Sequence, residues 1–370
     1  MCDIFVDIAQ ISTEKLTNSF FFPIVVCDRM MIKQISPEYG MQLPCCDEKK
    51  GEPMKKDART TGIVGTGMIA GSMAVLTAGH GFQTVILARS QRSVDRCSKM
   101  VKDYFAQMTE RNILSAEKAD ICMSYIRYTF DYADLKDAEV VFESVAETKE
   151  AKYEVFRQIE DNCPLIKAIC SVSSSIVPAV LAEGAGKYAD RIIVTHPFNP
   201  PHLVPYFELC GSERTAEGVI GYAKGLLEEL DRKPVILKRP TPGFIGNRLQ
   251  FALWREALAL VEEGICDPED VDTCLEYSFC PRYTSIGIFE HFDNGGLQLN
   301  ASTCRNTWPI LSARTDIPEF MKKLMEEGKM GARSESRTGF YDWNGVDMDA
   351  YAKRVSEPYW RLLDWEFPEE

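Results

Sequence analysis

The chain is short of histidine, of basic residues relative to acidic ones, and of long apolar runs. Its 370 residues include 4 histidines, 42 lysines and arginines and 55 aspartates and glutamates, which gives a formal net charge of −13. Because nucleic-acid binding needs a basic face toward the phosphates, this balance argues against a nucleic-acid partner. No segment approaches the roughly 20 apolar residues of a membrane helix, and the basic start of a signal peptide is missing. We therefore expect a cytoplasmic protein with neither a membrane nor a nucleic-acid partner.

Paired Cys-x-x-Cys motifs are also missing. The 13 cysteines are scattered through apolar segments, and the adjacent Cys45 and Cys46 cannot bridge each other without strain. Structural zinc sites use closely spaced cysteine pairs, so the sequence predicts no metal site. Free thiols in a reducing compartment are the expected state.

The first 53 residues lack the periodicity of the segments that follow. They end in a polar stretch over 47–53, directly before Met54, and the segment from Met54 resembles the start of a protein. We expect residues 1–53 to be an irregular extension, with translation of the native protein beginning at Met54. A genuine appendage, disordered or docked, is the alternative.

Beyond this extension, short apolar strands alternate with helical patterns. The strand patterns lie at 61–65, 84–87, 125–130, 139–142, 168–170, 191–195, 204–209 and 234–237. Such alternation is typical of a mostly parallel sheet wound on both faces by helices. The sequence therefore predicts an α/β, Rossmann-type, doubly wound domain over 54–240.

After Gly243 the strand patterns stop. A long helical pattern over 244–263 is apolar around most of its circumference, and Asp267-Pro268 is typical of the start of another helix. We expect an all-α C-terminal domain over 241–345, followed by a tail over 346–370. A helix that is apolar on most sides is buried, often against a partner subunit, so this domain predicts a homodimer.

A glycine turn between the first strand and first helix predicts a dinucleotide site. Gly65 permits a tight turn, Gly67 lets backbone approach a pyrophosphate, and Ala70 allows close helix–strand packing. The helix N-terminus offers N–H groups and partial positive charge to the phosphates. The alternative is a tight turn without a ligand.

The end of the second strand lacks the carboxylate that usually holds the ribose 2′-hydroxyl of NAD. Ala88 stands there, followed by Arg89 and Ser90. A guanidinium can pair with a 2′-phosphate and a serine hydroxyl can donate to it. We therefore expect NADP in preference to NAD, with NAD possible in principle. A solvated loop arginine is the alternative.

His196 and Glu208 lie twelve residues apart across a proline-rich segment. Histidine titrates near neutral pH and can take an alcohol proton, and a carboxylate can fix its tautomer and stabilise the imidazolium. A loop that leaves one strand and returns as the next would place the two side chains together. On spacing alone, a plain loop histidine is an equal alternative. His80, His202 and His291 have no carboxylate at comparable spacing and are expected to be structural.

Several motifs in chain order resemble the L-3-hydroxyacyl-CoA dehydrogenase family, including its lambda-crystallin, gulonate dehydrogenase and carnitine dehydrogenase branches. They are the glycine turn, ESVAETKEAK at 143–152, SVSSSI at 171–176, HPFNP at 196–200, TPGFIGNR at 241–248 and GFYDW at 339–343. The resemblance spans residues 61–345 and implies a nicotinamide-dependent dehydrogenase.

The resemblance also implies roles for individual residues. His196 would be the catalytic base and Glu208 its orienting partner, while Ser174 and Asn247 would hydrogen-bond the reacting oxygen. The same resemblance has Glu147 and Lys152 contact the nicotinamide half of the cofactor. The plainer alternatives are helix or turn caps for Ser174 and Asn247, and a solvated helix face for Glu147 and Lys152.

Three functions follow from the resemblance. The first is a dehydrogenase of an L-3-hydroxyacyl-CoA of short chain, with Arg96, Lys99 and Lys102 as candidates for the CoA phosphates. The second is a dehydrogenase of a free 3-hydroxy acid or sugar acid, because Arg282-Tyr283 resembles the branches that do not use CoA. A non-catalytic, crystallin-like protein is the third, and the retained Ser/His/Glu/Asn set argues against it.

Overall fold

A computed structural model describes residues 59–361 and residue 363. The expected extension over 1–53 and the proposed start at Met54 lie outside the described residues. The strands are β1 (Thr60–Val64), β2 (Gln83–Leu87), β3 (Ile126–Thr129), β4 (Ala138–Glu143), β5 (Ala168–Ser171), β6 (Ile192–Pro197), β7 (Tyr206–Cys210) and β8 (Lys233–Ile236). The helices are α1 (Met68–Gly79), α2 (Gln91–Glu110), α3 (Ala116–Ser124), α4 (Lys149–Asn162), α5 (Pro178–Leu181), α6 (Val219–Glu229), α7 (Gly246–Glu262), α8 (Pro268–Tyr277), α9 (Ile288–Asn294), α10 (Leu297–Thr307), α11 (Glu319–Glu326) and α12 (Met348–Trp360).

The strands form one sheet in the order β3-β2-β1-β4-β5-β6-β7-β8. Neighbouring strands are parallel except β6 and β7, which are antiparallel. Val64 pairs with Glu143, Glu143 with Ser171, and Ser171 with Val194. The carboxyl ends of β1, β4, β5 and β6 therefore meet at one edge, where α/β proteins bind their ligands.

Helices cover both faces of this sheet. On one face, α1, α2, α3 and α6 pack over a cluster that includes Met73, Phe105 and Leu227. On the other face, α4 and α5 cover a cluster that includes Phe156 and Leu181. With the helices that follow β8, this architecture confirms the predicted Rossmann-type, doubly wound sheet and all-α C-terminal region.

Small residues allow α1 to lie close to its neighbours. Every residue of this helix from Ala70 to Gly79 is buried, and Ala70 has no exposed surface. A Cβ added at Gly71 would lie 2.4 Å from the Met100 methyl group of α2. The helix that begins at the glycine turn is thus fixed in place by packing on all sides.

The ends of α7 and α8 follow the local sequence. Gly264 after α7 has φ +66°, a left-handed conformation that glycine adopts without strain. Asp267 caps α8, and its N–H donates to Asp270 at 3.0 Å. Helix α8 therefore begins at Pro268 with Asp267 as its cap, as the sequence predicts.

Few residues of helix α7 are buried within one chain. Leu258 and Ala259 are its buried residues, while Leu249 and Phe251 are 60% and 63% exposed. Phe289 in α9 is 89% exposed. The burial that the sequence predicts for α7 is therefore incomplete within one chain, and burial against a partner subunit stays a prediction.

The sequence predicts a tail over residues 346–370, but part of this segment forms helix α12. The Asp347 carboxylate accepts from two N–H groups of the first turn. Glu357 accepts from Arg111 at 2.9 Å, and the Arg111 guanidinium lies 4.7 Å from the Trp360 ring centroid. Trp360 is 7% exposed within the core of the α/β domain. The helix therefore belongs to the packing of that domain.

Two simple expectations can be compared with the described residues. Their cysteines, from Cys97 to Cys304, are free. None of the described helices is long and apolar enough to span a membrane.

The first prediction concerns α12. Replacing the buried Trp360 with alanine leaves a cavity in the core and is expected to lower the free energy of unfolding by about 3 kcal/mol. Urea denaturation followed by circular dichroism measures this. The control is Phe130→Ala, at a side chain that is 58% exposed, where the change should stay within about 1 kcal/mol. Equal effects of the two substitutions would mean that α12 does not dock as described.

Candidate active site

His196 and Glu208 face each other across two strands. They are direct partners in the antiparallel register of β6 and β7. The His196 Nδ1 and Glu208 Oε2 atoms are 2.7 Å apart, and Glu208 has no exposed surface. The twelve-residue spacing arises because the chain leaves β6, makes a loop over 198–205 and returns as β7. The structure thus brings together the two residues that the sequence paired.

The second oxygen of Glu208 connects the sheet to the helical domain. Its Oε1 accepts from the backbone N–H groups of Ile245 at 2.7 Å and Gly246 at 2.9 Å, at the start of α7. The Tyr206 hydroxyl donates to the same oxygen at 3.2 Å. Burial raises the pKa of Glu208, but the hydrogen bonds from His196, Gly246 and Ile245 outweigh it and hold the pKa below its usual range. The carboxylate is therefore ionised at neutral pH.

Aromatic rings hold the imidazole in place. Phe244 stacks on His196 with ring centroids 5.2 Å apart, and Phe198 meets it edge-on at 5.6 Å. Phe244 is fully buried in a left-handed conformation, with φ +45°. A bulky residue in this region is strained and persists where its surroundings fix it. With Nδ1 engaged by Glu208, Nε2 is the ring atom left for chemistry.

A cavity of about 330 Å³ lies beside the start of α7. Its lining residues are Ser174, Ser175, Pro242, Gly243, Asn247, Arg248 and Phe251. Ser174 follows β5 and Asn247 is in the first turn of α7, directly after the Gly246 N–H that binds Glu208. The structure therefore brings Ser174 and Asn247 to one cavity, although 73 residues separate them.

Lys152, which the family resemblance has contact the cofactor, lies in a buried ion pair with Glu143. Lys152 has no exposed surface, and its Nζ donates to both oxygens of the fully buried Glu143 at 2.9 Å. Glu143 also accepts from the Ser171 hydroxyl at 2.6 Å. The ammonium therefore bonds protein groups in this structure, and its contact with a cofactor stays a prediction. Its helical spacing gave no sign of this burial.

Glu147 lies beside Lys152, and the two side chains form an ion pair of 3.2 Å. The other carboxylate oxygen accepts from Ser173, Ser174 and Ser175. Burial raises the pKa of Glu147, but the Ser173 hydroxyl, Lys152 and Ser175 outweigh it and lower the pKa from 4.5 to about 2. Glu147 is therefore bound to the serine turn while its side chain stays 36% exposed, and its contact with a cofactor stays a prediction.

The glycine turn has the shape of a phosphate cradle. Gly65 has φ +127°, and a Cβ there would lie 2.4 Å from the Ser144 carbonyl oxygen. A Cβ added at Gly67, the N-cap of α1, would meet nothing within 4 Å. This open space lies in front of the backbone N–H groups of the first helical turn. Gly65, Gly67 and Ala70 thus fit a dinucleotide pyrophosphate.

Arg89 and Ser90 lie at the carboxyl end of β2, as expected. Both are exposed. Ser90 caps α2, with its hydroxyl oxygen accepting from the Ser93 N–H at 3.3 Å. Its hydroxyl hydrogen stays available to a ligand.

The remaining histidines have partners that spacing could not identify. His80 bonds the Leu76 carbonyl oxygen at 2.7 Å and the Asp231 carboxylate at 3.1 Å, a partner that sequence spacing does not reveal. The two residues are 151 positions apart. His291 lies 3.2 Å from an Arg282 nitrogen. These contacts join structural elements.

His202 attaches the loop after His196 to the cofactor helix. Its Nδ1 lies 2.7 Å from the Ser72 hydroxyl of α1, which also accepts from the His202 N–H at 2.8 Å. Burial, followed by the nearby Arg232 charge, lowers the pKa of His202 to about 3, so the ring is neutral. Sequence reasoning missed this contact because Ser72 lies within an apolar helix.

Comparisons with known proteins agree with this arrangement. The family model for the NAD-binding domain of 3-hydroxyacyl-CoA dehydrogenase matches residues 60–240, and that for its C-terminal domain matches 243–343. An L-carnitine dehydrogenase of Oceanobacillus iheyensis is 30% identical, over 84% of this chain and 98% of its own.

Two solved structures are similar in fold and sequence. A 5-formyl-3-hydroxy-2-methylpyridine 4-carboxylic acid 5-dehydrogenase, described as an NAD⁺-dependent dismutase, has a TM-score of 0.74 and 27% identity, covering 82% of this chain and 97% of its own. A 3-hydroxybutyryl-CoA dehydrogenase of Escherichia coli has a TM-score of 0.64 and 25% identity, covering 79% of this chain and 61% of its own.

The second prediction concerns the acid sensitivity of Glu147. Because its pKa is lower in the folded protein, its ionised form stabilises the fold above about pH 4.5, and this stabilisation is lost as pH falls toward 2. The destabilisation caused by Glu147→Gln should therefore be largest near pH 6 and smaller near pH 3. Urea unfolding at both pH values measures it, with the exposed Glu150→Gln as control. The same destabilisation at both pH values would contradict the ionised, bonded state described.

Proposed function

This chain belongs to the 3-hydroxyacyl-CoA dehydrogenase family, and on that premise we propose that it interconverts a 3-hydroxy acid and the corresponding 3-keto acid. The His196–Glu208 pair carries the proposal, because it sets an oriented imidazole near the Ser174 and Asn247 cavity. The cofactor cradle lies at the same edge of the sheet.

In this proposal His196 is the residue that takes and returns the proton of the substrate hydroxyl. Its Nδ1–H donates to ionised Glu208, which leaves the Nε2 lone pair free to take the proton of the substrate hydroxyl. Glu208 then stabilises the imidazolium, and in the reverse direction His196 returns the proton. A nicotinamide cofactor, when bound, supplies the hydride chemistry.

Ser174 and Asn247 would act on the reacting oxygen. Both reach the cavity from fixed backbone positions, one on the turn after β5 and the other in the first turn of α7. Donors that are already oriented stabilise a developing negative charge without the cost of reorganisation.

For the cofactor we propose NADP ahead of NAD. Gly65, Gly67 and Ala70 would take the pyrophosphate, as in any dinucleotide domain. Arg89 and Ser90 are exposed at the end of β2, where a 2′-phosphate would lie. Ala88 offers no carboxylate there, so a 2′-phosphate meets no repulsion from this position.

For the substrate we place a free hydroxy acid ahead of the acyl-CoA expected first from the sequence. The cavity contains a guanidinium, that of Arg248, which can pair with a carboxylate. Of the CoA phosphate candidates, Lys99 is already paired with Asp103 at 3.0 Å. The carnitine and pyridine-carboxylate dehydrogenases noted above act on free acids by their names. The 3-hydroxyacyl-CoA reaction remains the second candidate, favoured by the family models and the E. coli structure.

We also propose a homodimer through the helical domain. Leu249 and Phe251 on α7 and Phe289 on α9 are each at least 60% exposed. Apolar surface of this kind typically marks an interface between subunits. A second copy would give α7 the burial that its sequence pattern requires.

The third prediction tests the reaction. Purified protein should oxidise a free hydroxy acid from a panel of L-carnitine, L-gulonate and 3-hydroxybutyrate, and should turn over acetoacetyl-CoA with lower kcat/KM. Cofactor absorbance at 340 nm measures each rate, with NADP and NAD in parallel. His196→Ala should lower kcat by about two to four orders of magnitude while cofactor affinity is kept, because a general base contributes that much. A variant that retains near-normal kcat would refute the role of His196, and an inactive wild type would refute the reaction.

The fourth prediction tests Arg89. Arg89→Ala should raise the KM for NADP about tenfold, the value of roughly 1.4 kcal/mol of lost ion pairing, with little change for NAD. Arg92→Ala, an exposed arginine three residues later, is the matched control and should leave both unchanged. A wild type with higher kcat/KM for NAD would make the assignment of Arg89 wrong.

A further inference from the structure

A buried polar network lies beneath the turn that carries Ser174. Lys152 on α4 and Glu143 at the end of β4 are both fully buried, with their charged atoms 2.9 Å apart. A buried charge is costly unless it is paired and hydrogen-bonded, so this pair fixes the position of the lysine ammonium. The ammonium then holds one oxygen of Glu147 at 3.2 Å.

The other oxygen of Glu147 is taken up by the serine turn. Its Oε1 accepts from the Ser173 hydroxyl at 2.5 Å, from the N–H groups of Ser174 and Ser175 at 3.1 and 3.0 Å, and from the Ser175 hydroxyl at 2.9 Å. The Ser173 hydroxyl oxygen also accepts from the Ile176 N–H at 2.8 Å. One carboxylate thus accepts four hydrogen bonds from the turn between β5 and α5.

The geometry points to Glu147 as a positioning residue for Ser174, with Lys152 holding Glu147 in place. This inference rests on the proposed function, in which Ser174 binds the reacting oxygen. The Ser174 N–H bonds Glu147, and Ser174 lines the cavity. The backbone of Ser174 is therefore fixed, while its hydroxyl group is free to rotate and bond a ligand. Control of the serine is a role that the family resemblance did not imply, and it stands beside the predicted cofactor contacts of Glu147 and Lys152.

The two roles have different kinetic consequences. A cofactor contact contributes to cofactor affinity, whereas a positioning residue contributes to the rate through the group that it positions. Because loosely held donors lose much of their value in catalysis, displacement of the serine turn should lower kcat. The effect of Glu147 should also disappear once Ser174 has lost its hydroxyl.

The experiment is a double-mutant cycle with a binding measurement. Glu147→Gln, Ser174→Ala and the double variant are compared with wild type for kcat, using whichever of L-carnitine, 3-hydroxybutyrate or acetoacetyl-CoA the wild type turns over fastest. The cofactor Kd is measured by NADPH fluorescence titration. We expect Glu147→Gln to lower kcat at least tenfold at saturating cofactor, and to add nothing to Ser174→Ala. Glu150→Gln, on the exposed face of α4, should leave all values unchanged.

Two outcomes would overturn the inference. One is a tenfold weaker NADPH Kd with unchanged kcat, which assigns Glu147 to the cofactor. The other is a double variant slower than either single variant by the product of their effects, which makes the residues independent. A Ser174→Ala variant with normal kcat would overturn it as well, since the serine would then have nothing to contribute.

A second measurement does not depend on activity. Hydrogen–deuterium exchange of a peptide over 172–176 should be faster in Glu147→Gln than in wild type, because two of its N–H groups bond Glu147. Unchanged exchange would overturn the inference even if no substrate were found. Ser175→Ala removes a single bond to Glu147 and should give a smaller change in the same direction, which covers the case of an unstable Glu147→Gln. Failure of the proposed function appears separately, as a wild type that turns over none of the panel.

Discussion

The bond between His196 and Glu208 is the interaction on which the site depends. The two oxygens of the carboxylate bind different parts of the molecule, since Oε2 binds the imidazole and Oε1 binds the N-terminus of α7. The first turn of α7 carries Asn247, so one buried side chain orients the imidazole and also binds the N-terminus of the helix that carries Asn247. The antiparallel register of β6 and β7 makes this possible, because it sets the two residues directly opposite each other.

Buried charge at the carboxyl edge of the sheet serves orientation more than stability. Removing ions from water costs several kcal/mol each, and a paired buried ion often does no better than an apolar residue of the same size. Glu143, Lys152 and Glu208 nevertheless have no exposed surface. Their bonds lead to the serine turn, to His196 and to the start of α7, which are the parts that the proposed function needs in fixed positions. These buried ions add little to the free energy of unfolding, but they hold the groups of the site in fixed positions.

Much of the fold could be predicted because local patterns determine it. The alternation of strands and helices, the glycine turn and the Asp267-Pro268 helix start each depend on neighbours in sequence. The site was predictable to the extent that its residues belong to short motifs, as His196 and Glu208 do. Contacts between distant segments were not: His80 pairs with a residue 151 positions away, and the ammonium of Lys152 is buried by strands that its helix pattern does not reveal. Helix α12 was missed because Pro358 lies within it and because its contacts with Arg111, the residue after α2, join distant parts of the sequence.

The central claim is that His196 and Glu208 act as one unit. A double-mutant cycle on kcat, with His196→Ala, Glu208→Gln and the combined variant, tests it most directly, with cofactor binding measured on each protein to establish that it is folded. Residues that act as a unit are strongly non-additive. We predict that the combined variant is about as slow as His196→Ala alone. A combined variant slowed by the product of the two single effects would contradict this claim.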